Sequence, residues 1–387
     1  MSYFKNHAIN LVNTHFGLRV LADALVSVFI GVYFLQAGMP LWQIFLVWTA
    51  IFTLRLLFRP VVLFAIQKYG IKIMLIVGSI NYLGIYALLS QVTGLDWWLL
   101  AYAVYYALND PIYWLPYHVY FAQIGNNHES GRHIGAREFI TTAARTVAPI
   151  LSAFIIANFG FHGSFWLAGG ISALASLPFI WLPEVHLGER LTTKQAWKTV
   201  DRRGMTLFIG DGIWSSGIYF IWPLTLFLLA QDYIIFGGLL ALAALLQMLG
   251  GLLIGHFIDR GHTKLLYRLA ILFAVSIPLL LAGLATSIPA VIAIDVFIAA
   301  AMAIYVPTFN TVLYNLSRKS KSSLWFQYFA ETGWDIGSII ATAAAAAIVF
   351  AGHDIRWALA MTACGVPVFG YVLWQYYEVE HHTLISK

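Results

Sequence analysis

A single cysteine, Cys364, serves 387 residues, which excludes an intramolecular disulfide and a multi-thiolate metal site. Charge is also scarce. Asp, Glu, Lys and Arg make up 10% of the chain against 60% hydrophobic residues, and a mean hydropathy of +0.78 excludes a water-soluble domain of this size. No Gly-x-x-x-x-Gly-Lys-Ser/Thr loop is present to cradle phosphates, no Gly-x-Ser-x-Gly elbow, and no His/Asp/Glu group with metal-ligand spacing. No cofactor or metal is therefore expected. The net charge of +5 is dispersed at the ends of apolar runs instead of gathered in one patch, so no nucleic-acid partner is expected either. The opening MSYFKNHAIN has no small-residue cleavage site after a short apolar core, and the first apolar run is expected to be retained.

What fills the chain is runs of about 20 apolar residues, the length at which a helix crosses ~30 Å of hydrocarbon. Twelve are expected, near 17–38, 41–66, 71–91, 97–122, 136–158, 163–183, 206–230, 234–257, 264–285, 289–315, 323–350 and 356–377, with no soluble domain between them. The fold class is an all-α, multi-pass integral membrane protein whose main partner is the lipid bilayer, expected in the plasma (inner) membrane. With both termini cytoplasmic, every one of the 22 Lys and Arg lies at a cytoplasmic span end except Arg55 and Arg145 within spans and Arg356 outside. Arg19 and Arg59 count among the span ends in this reading. The most polar segment, Pro183 to Met205, divides six spans from six: residues 1–183 and 206–387 are expected as two six-helix bundles joined by a cytoplasmic linker, 184–205. Thr193 is placed to cap a short linker helix carrying Trp197 and Val200 along the membrane surface.

The two halves echo each other. LADALVS (Leu21 to Ser27) aligns with IGDGIWS (Ile209 to Ser215), setting Asp23 over Asp211, and AARTVAPIL (Ala143 to Leu151) falls on TGWDIGSII (Thr332 to Ile340) at nearly the same offset. A shared offset is the mark of an internally duplicated, pseudo-symmetric membrane protein. Gly255, Asp259 and Arg260, followed by Lys264, stand between the second and third spans of the second half, and they resemble the Gly-x-x-x-Asp-Arg signature of the major facilitator superfamily. The equivalent first-half segment, LFAIQKYGIK, keeps Lys68, Gly70 and Lys72 but has Gln67 for the acid and Leu63 for the leading glycine. The resemblance implies twelve spans, alternating access, and a switch in which Asp259 faces the start of span five, GRHIGARE (Gly131 to Glu138), when the cytoplasmic side closes. It also implies that span two adjoins span eleven.

Ionised side chains in the hydrocarbon cost roughly 2.5–3.5 kcal/mol or more each, so every one is a functional candidate. Asp23, Arg55, Asp110, Arg145, Asp211, Asp295, Glu331 and Asp335 qualify. Glu331 and Asp335 share one helical face, turned away from a small-residue stripe of Gly333, Gly337, Ala341 and Ala345. Given the span-two to span-eleven contact, Arg55 and Glu331 are expected to form an ion pair, and Arg145 is expected to serve Asp110 or Asp23. Asp23, Asp110, Arg145, Asp211 and Asp335 are the candidates for substrate binding or proton coupling. In span four, Pro111 and Pro116, with Asn109 and Asp110 beside the first of them, suggest a discontinuous or hinged helix, while Tyr106, Tyr113, Trp114 and Tyr117 are candidates to line a cavity. His118 titrates in the right range for coupling but, as a lone histidine, is equally suited to packing. Trp97 and Trp98 belong to an interfacial belt.

The pattern points to a secondary active transporter of a small molecule, a symporter or antiporter coupled to a proton or another ion and acting as a monomer. A non-transporting scaffold or sensor is the alternative. A lipid enzyme fits less well, because the carboxylates are scattered over several helices without a convergent nucleophile, base or metal cluster.

Overall fold

The computed structural model describes residues 7–124, 130–184, 191–258 and 263–380, and among these residues it is helical with no strand. The helices are α1 (His7–Gln36), α2 (Leu41–Tyr69), α3 (Ile71–Leu89), α4 (Trp97–Ile124), α5 (Ser130–Leu174), α6 (Thr193–Thr199), α7 (Arg203–Ser216), α8 (Trp222–Ala230), α9 (Tyr233–Ile258), α10 (Thr263–Leu284), α11 (Ile288–Lys319), α12 (Ser323–Phe350), α13 (Ile355–Met361) and α14 (Gly365–Trp374). Ten segments among the described residues are long and apolar enough to cross a membrane. Helix is the only answer for such runs, because each backbone N–H and C=O must be satisfied without water.

Local chemistry sets the ends. Gly70 turns the chain from α2 into α3 with φ +87°, and the Glu184 carboxylate accepts the freed N–H groups of Ile71 (3.0 Å) and Lys72 (3.2 Å), an anion on a helix N-terminus. Asp96 caps α4 by accepting from the Leu99 N–H at 2.8 Å. The linker helix α6 begins at a capping box, and the cap is Thr192, one residue before the expected Thr193, with Gln195 as its reciprocal partner. Its Trp197 reaches Phe329 at the start of α12, ring centroids 5.4 Å apart.

α5 runs from one side through a kink at Gly160, φ +74°, where the spans expected at 136–158 and 163–183 meet almost without a loop. Between α7 and α8 the chain makes a π-helical stretch, Gly217–Ile221, just before Pro223, which has no N–H to return to the carbonyl one turn back. The break expected in span four is absent. α4 continues as helix through Pro111 and Pro116, since the fixed φ of proline is compatible with helical backbone.

Close helix approach is made by small residues. A Cβ added at Gly333 would meet the Met205 carbonyl oxygen, and one at Gly337 the Ile209 carbonyl oxygen, so the glycine stripe of α12 lies directly on the backbone of α7. α12 also packs along α2, and α5 packs along both α1 and α9. At the end remote from the chain termini the helices before and after the linker touch through Phe29–Phe236, Phe161–Tyr233 and Trp42–Phe350, with ring centroids 5.1, 5.7 and 5.2 Å apart.

Candidate functional site

A charged cluster is buried where α2, α4 and α12 meet. Arg55 Nη1 lies 2.8 Å from Asp110 Oδ2, its Nε 3.1 Å from Asp335 Oδ1, and its Nη2 3.8 Å from Glu331 Oε2. One turn along α2, Arg59 donates to Asp335 and stands 4.0 Å from Glu331. His118 Nε2 approaches Glu331 Oε1 at 3.4 Å, and the Tyr82 hydroxyl donates to Asp110 at 2.8 Å. Arg59 is 1% exposed and Asp335 0%. Burial of charge on this scale persists only when opposite charges and hydrogen bonds compensate it. The spacing provides that: Arg55 and Arg59 are four apart on one helix, and Glu331 and Asp335 four apart on the one facing it.

The count is uneven. Two guanidiniums face three carboxylates, leaving the cluster one positive charge short unless His118 or one carboxylate carries a proton. The expected Arg55–Glu331 pair is the longest of the three Arg55 contacts, because the Asp335 and Asp110 side chains reach the guanidinium first. Asp335 is clamped between two arginines and not open to a cavity.

A second group lies beside it. Arg19, expected at a span end, is 1% exposed, its guanidinium carbon 3.4 Å over the Tyr82 ring and 5.2 Å from that of Tyr113. Its Nη2 is 3.6 Å from Asp23, and none of its nitrogens makes a hydrogen bond of acceptable geometry, although the Tyr86 hydroxyl is close by. Asp23 sits deep among the helices yet its side chain is 45% exposed, so it opens onto an internal space. Arg145 is within electrostatic reach of Asp23. It does not serve Asp110, whose positions are taken by Arg55 and Tyr82.

Asp211, the repeat partner of Asp23, is half-buried on α7 and accepts a hydrogen bond from the Tyr305 hydroxyl at 2.9 Å. Asp295 on α11 is buried at a distance from both groups. Of the four aromatic candidates, Tyr106 and Trp114 are partly exposed, while Tyr113 and Tyr117 are buried and line no cavity. Those two stack on each other, and Phe16 stacks on Tyr117, while the Tyr113 hydroxyl meets His15 Nε2 at 2.9 Å. Trp114 stacks on His118. The interior aromatic surface is instead shared between helices before and after the linker: Trp48 and Phe52 on α2 meet Phe220 in the π-helical stretch, with Trp334 of α12 against Phe52. Of the expected switch, Gly255 falls within α9, and Asp259 and Arg260 lie outside the described residues.

A family model described as Major Facilitator Superfamily matches residues 15–342, most of the chain. The chain belongs to the major facilitator superfamily. It is accordingly a multi-pass membrane transport protein and not an enzyme. No curated protein sequence matches it, but solved structures of this fold do. The human organic anion transporter MFSD10 (TETRAN) is 15% identical, with 95% of this chain and 99% of that one covered at a TM-score of 0.67. The nucleoside transporter NupG is 12% identical, with 96% and 99% covered at a TM-score of 0.66. At these identities the likeness is one of fold.

Proposed function

We propose that this superfamily member is a proton-coupled secondary transporter of a small molecule, working by alternating access. Twelve spans form two six-helix bundles, 1–183 and 206–387, with the linker and both termini cytoplasmic. Proteins of the same fold named for organic anion and for nucleoside transport support transport without choosing the cargo.

The observation that carries the coupling is the cluster of two guanidiniums, three carboxylates and a histidine across the contact of α2 and α4 with α12. Arg55, Arg59, Asp110 and His118 belong to the first bundle, Glu331 and Asp335 to the second. A proton on Glu331 or Asp335 removes part of the attraction that holds α12 to α2, and Arg55 keeps Asp110 within its own bundle. Protonation and separation of the bundles then favour each other.

Reconstituted protein tests this in two steps. Counterflow of a solute reports transport, and accumulation under an imposed pH gradient reports coupling. The expected result is gradient-driven accumulation in the wild type that Glu331→Gln loses while retaining counterflow. Accumulation indifferent to the gradient would remove the proton from the mechanism.

A further inference from the structure

Among the described residues four guanidiniums sit away from the span ends, on α1, α2 and α5: Arg19, Arg55, Arg59 and Arg145. Arg55 and Arg59 are more than matched by their three carboxylates. Among the described residues Arg19 and Arg145 share Asp23 alone, so there this second group is one negative charge short.

Arg145 is placed to use that excess. The lipid-facing side of α5 carries Phe139, Val147, Ile150 and Phe154, all exposed. Arg145 lies on the opposite side, in a stripe with Thr141, Ala148 and Ser152, all buried. It is nevertheless exposed, so its guanidinium projects into an internal space and not into lipid. Among the described residues it makes no hydrogen bond and no ion pair within 4.0 Å, and its electrostatic neighbour is Asp23, which opens onto an internal space as well. Behind it the orphaned nitrogens of Arg19 fix further positive charge that Asp23 only partly answers.

We propose that Arg145, backed by Arg19, recognises a monoanionic small molecule as the cargo, and that anion binding here and proton uptake by the α2–α4–α12 cluster favour one another. This rests on the transport reading above and names its cargo class. In the empty protein the surplus positive charge around Asp23 and the surplus negative charge around Asp110 partly offset each other, since the two carboxylates are within electrostatic reach. An anion on Arg145 withdraws that offset and a proton on the cluster restores it. The effect is reciprocal by linkage. Among the described residues the charged group facing Arg145 is Asp23 on α1, with Arg19 one turn before it on the same helix. Those facing the cluster from beyond its own members are Asp23 on α1, Tyr106 on α4, Tyr328 on α12, further tyrosines of α3 and α4 around Asp110 and, behind α12, Asp211 with Tyr305. None of these adds a cation to the cluster or an anion to Arg145 other than Asp23.

Purified protein, titrated in detergent, separates the possibilities. Benzoate and benzenesulfonate are the monoanionic probes, benzamide the neutral one and benzylammonium the cationic one; a benzene ring suits the interior surface of Trp48, Phe52, Phe220 and Trp334. The monoanions are expected to raise the melting temperature, with affinity improving by up to about tenfold per pH unit of acidification and a proton taken up from weakly buffered solution. Arg145→Gln abolishes the anion effect and Arg145→Lys weakens it. Asp23→Asn, which frees both guanidiniums, tightens it about tenfold and serves if Arg145→Gln does not fold. An equal response to benzamide or benzylammonium, no response to either monoanion, or an anion response surviving in Arg145→Gln overturns the assignment. Proton-driven accumulation of a neutral or cationic solute alongside a negative anion test sinks the cargo class and leaves coupled transport standing. Anion binding without gradient-driven accumulation does the reverse.

Discussion

His118 and Glu331 meet 3.4 Å apart, Nε2 to Oε1, where α4 comes against α12. The imidazole is the one group of the cluster that changes charge near neutral pH when unperturbed. With Trp114 stacked on one side and Glu331 on another, it is positioned to hand a proton to the carboxylate or take one from it. In His118→Gln the pH dependence of uptake is expected to flatten between about pH 5 and 8, with the detergent melting point changed by only a few degrees. Initial uptake rates measured across that range check it; an unaltered profile assigns the proton to a carboxylate alone.

Asp335 answers two buried arginines at once. Asp335→Asn leaves Arg55 with Asp110 but Arg59 with only the 4.0 Å contact to Glu331, and a loss of about 3–5 kcal/mol is expected, seen as a lower melting temperature in detergent. Replacing Arg59 by Gln in the same chain restores the charge count, and the double variant is expected to melt above the single one. Equal melting of both variants would mean that the Arg59–Asp335 contact contributes nothing to stability.

Gly337 has no room for a side chain, because a Cβ would meet the Ile209 carbonyl oxygen. Gly337→Val is expected to leave no monodisperse protein on size-exclusion chromatography, whereas Gly283→Ala, where an added Cβ meets nothing within 4 Å, is expected to behave as wild type.

Asp96, outside the spans, accepts from the backbone N–H groups of Thr93 and Leu99 and from the Thr93 hydroxyl. Slight desolvation works against ionisation, but these donors prevail and hold the carboxyl below the usual Asp range. Because the folded value is depressed, the stabilisation is complete above the unfolded value near 4 and fades as pH falls through the folded one. Asp96→Ala is expected to cost about 1 kcal/mol at neutral pH and much less in strong acid, as read from melting curves at several pH values.

The hydrophobic runs were legible because crossing a bilayer demands length and apolarity and little else. The glycine stripe of α12 was legible too, as a face separate from Glu331 and Asp335. Arg19 and Arg59 were not. Counting inward from polar loops places them at span ends, yet α2 continues ten residues past Arg59 to Tyr69, which carries the guanidinium deep into the packed helices. A signal was present: the Arg55/Arg59 spacing matches that of Glu331/Asp335, and two i, i+4 pairs of opposite sign are suited to facing helices. Partner choice was hidden for another reason. Whether Asp110 takes Arg55 or Arg145 depends on which helices adjoin, and periodicity carries no such information. Tyr82 and Tyr305 escaped because a tyrosine in a span is more often packing than a charge's hydrogen-bond partner.

α12 is held to α7 and to α2 by different materials. Against α7 the contact is chiefly carbonyl on glycine, with no space to slide; against α2 it is largely opposite charges. A joint with one welded side and one latched side has a fixed parting line. In the proposed cycle α12 would travel with α7 as a single beam, and an opening between the helices before the linker and those after it would have to cross the seam between Arg55 and Asp335 as well as that of α5 with α9.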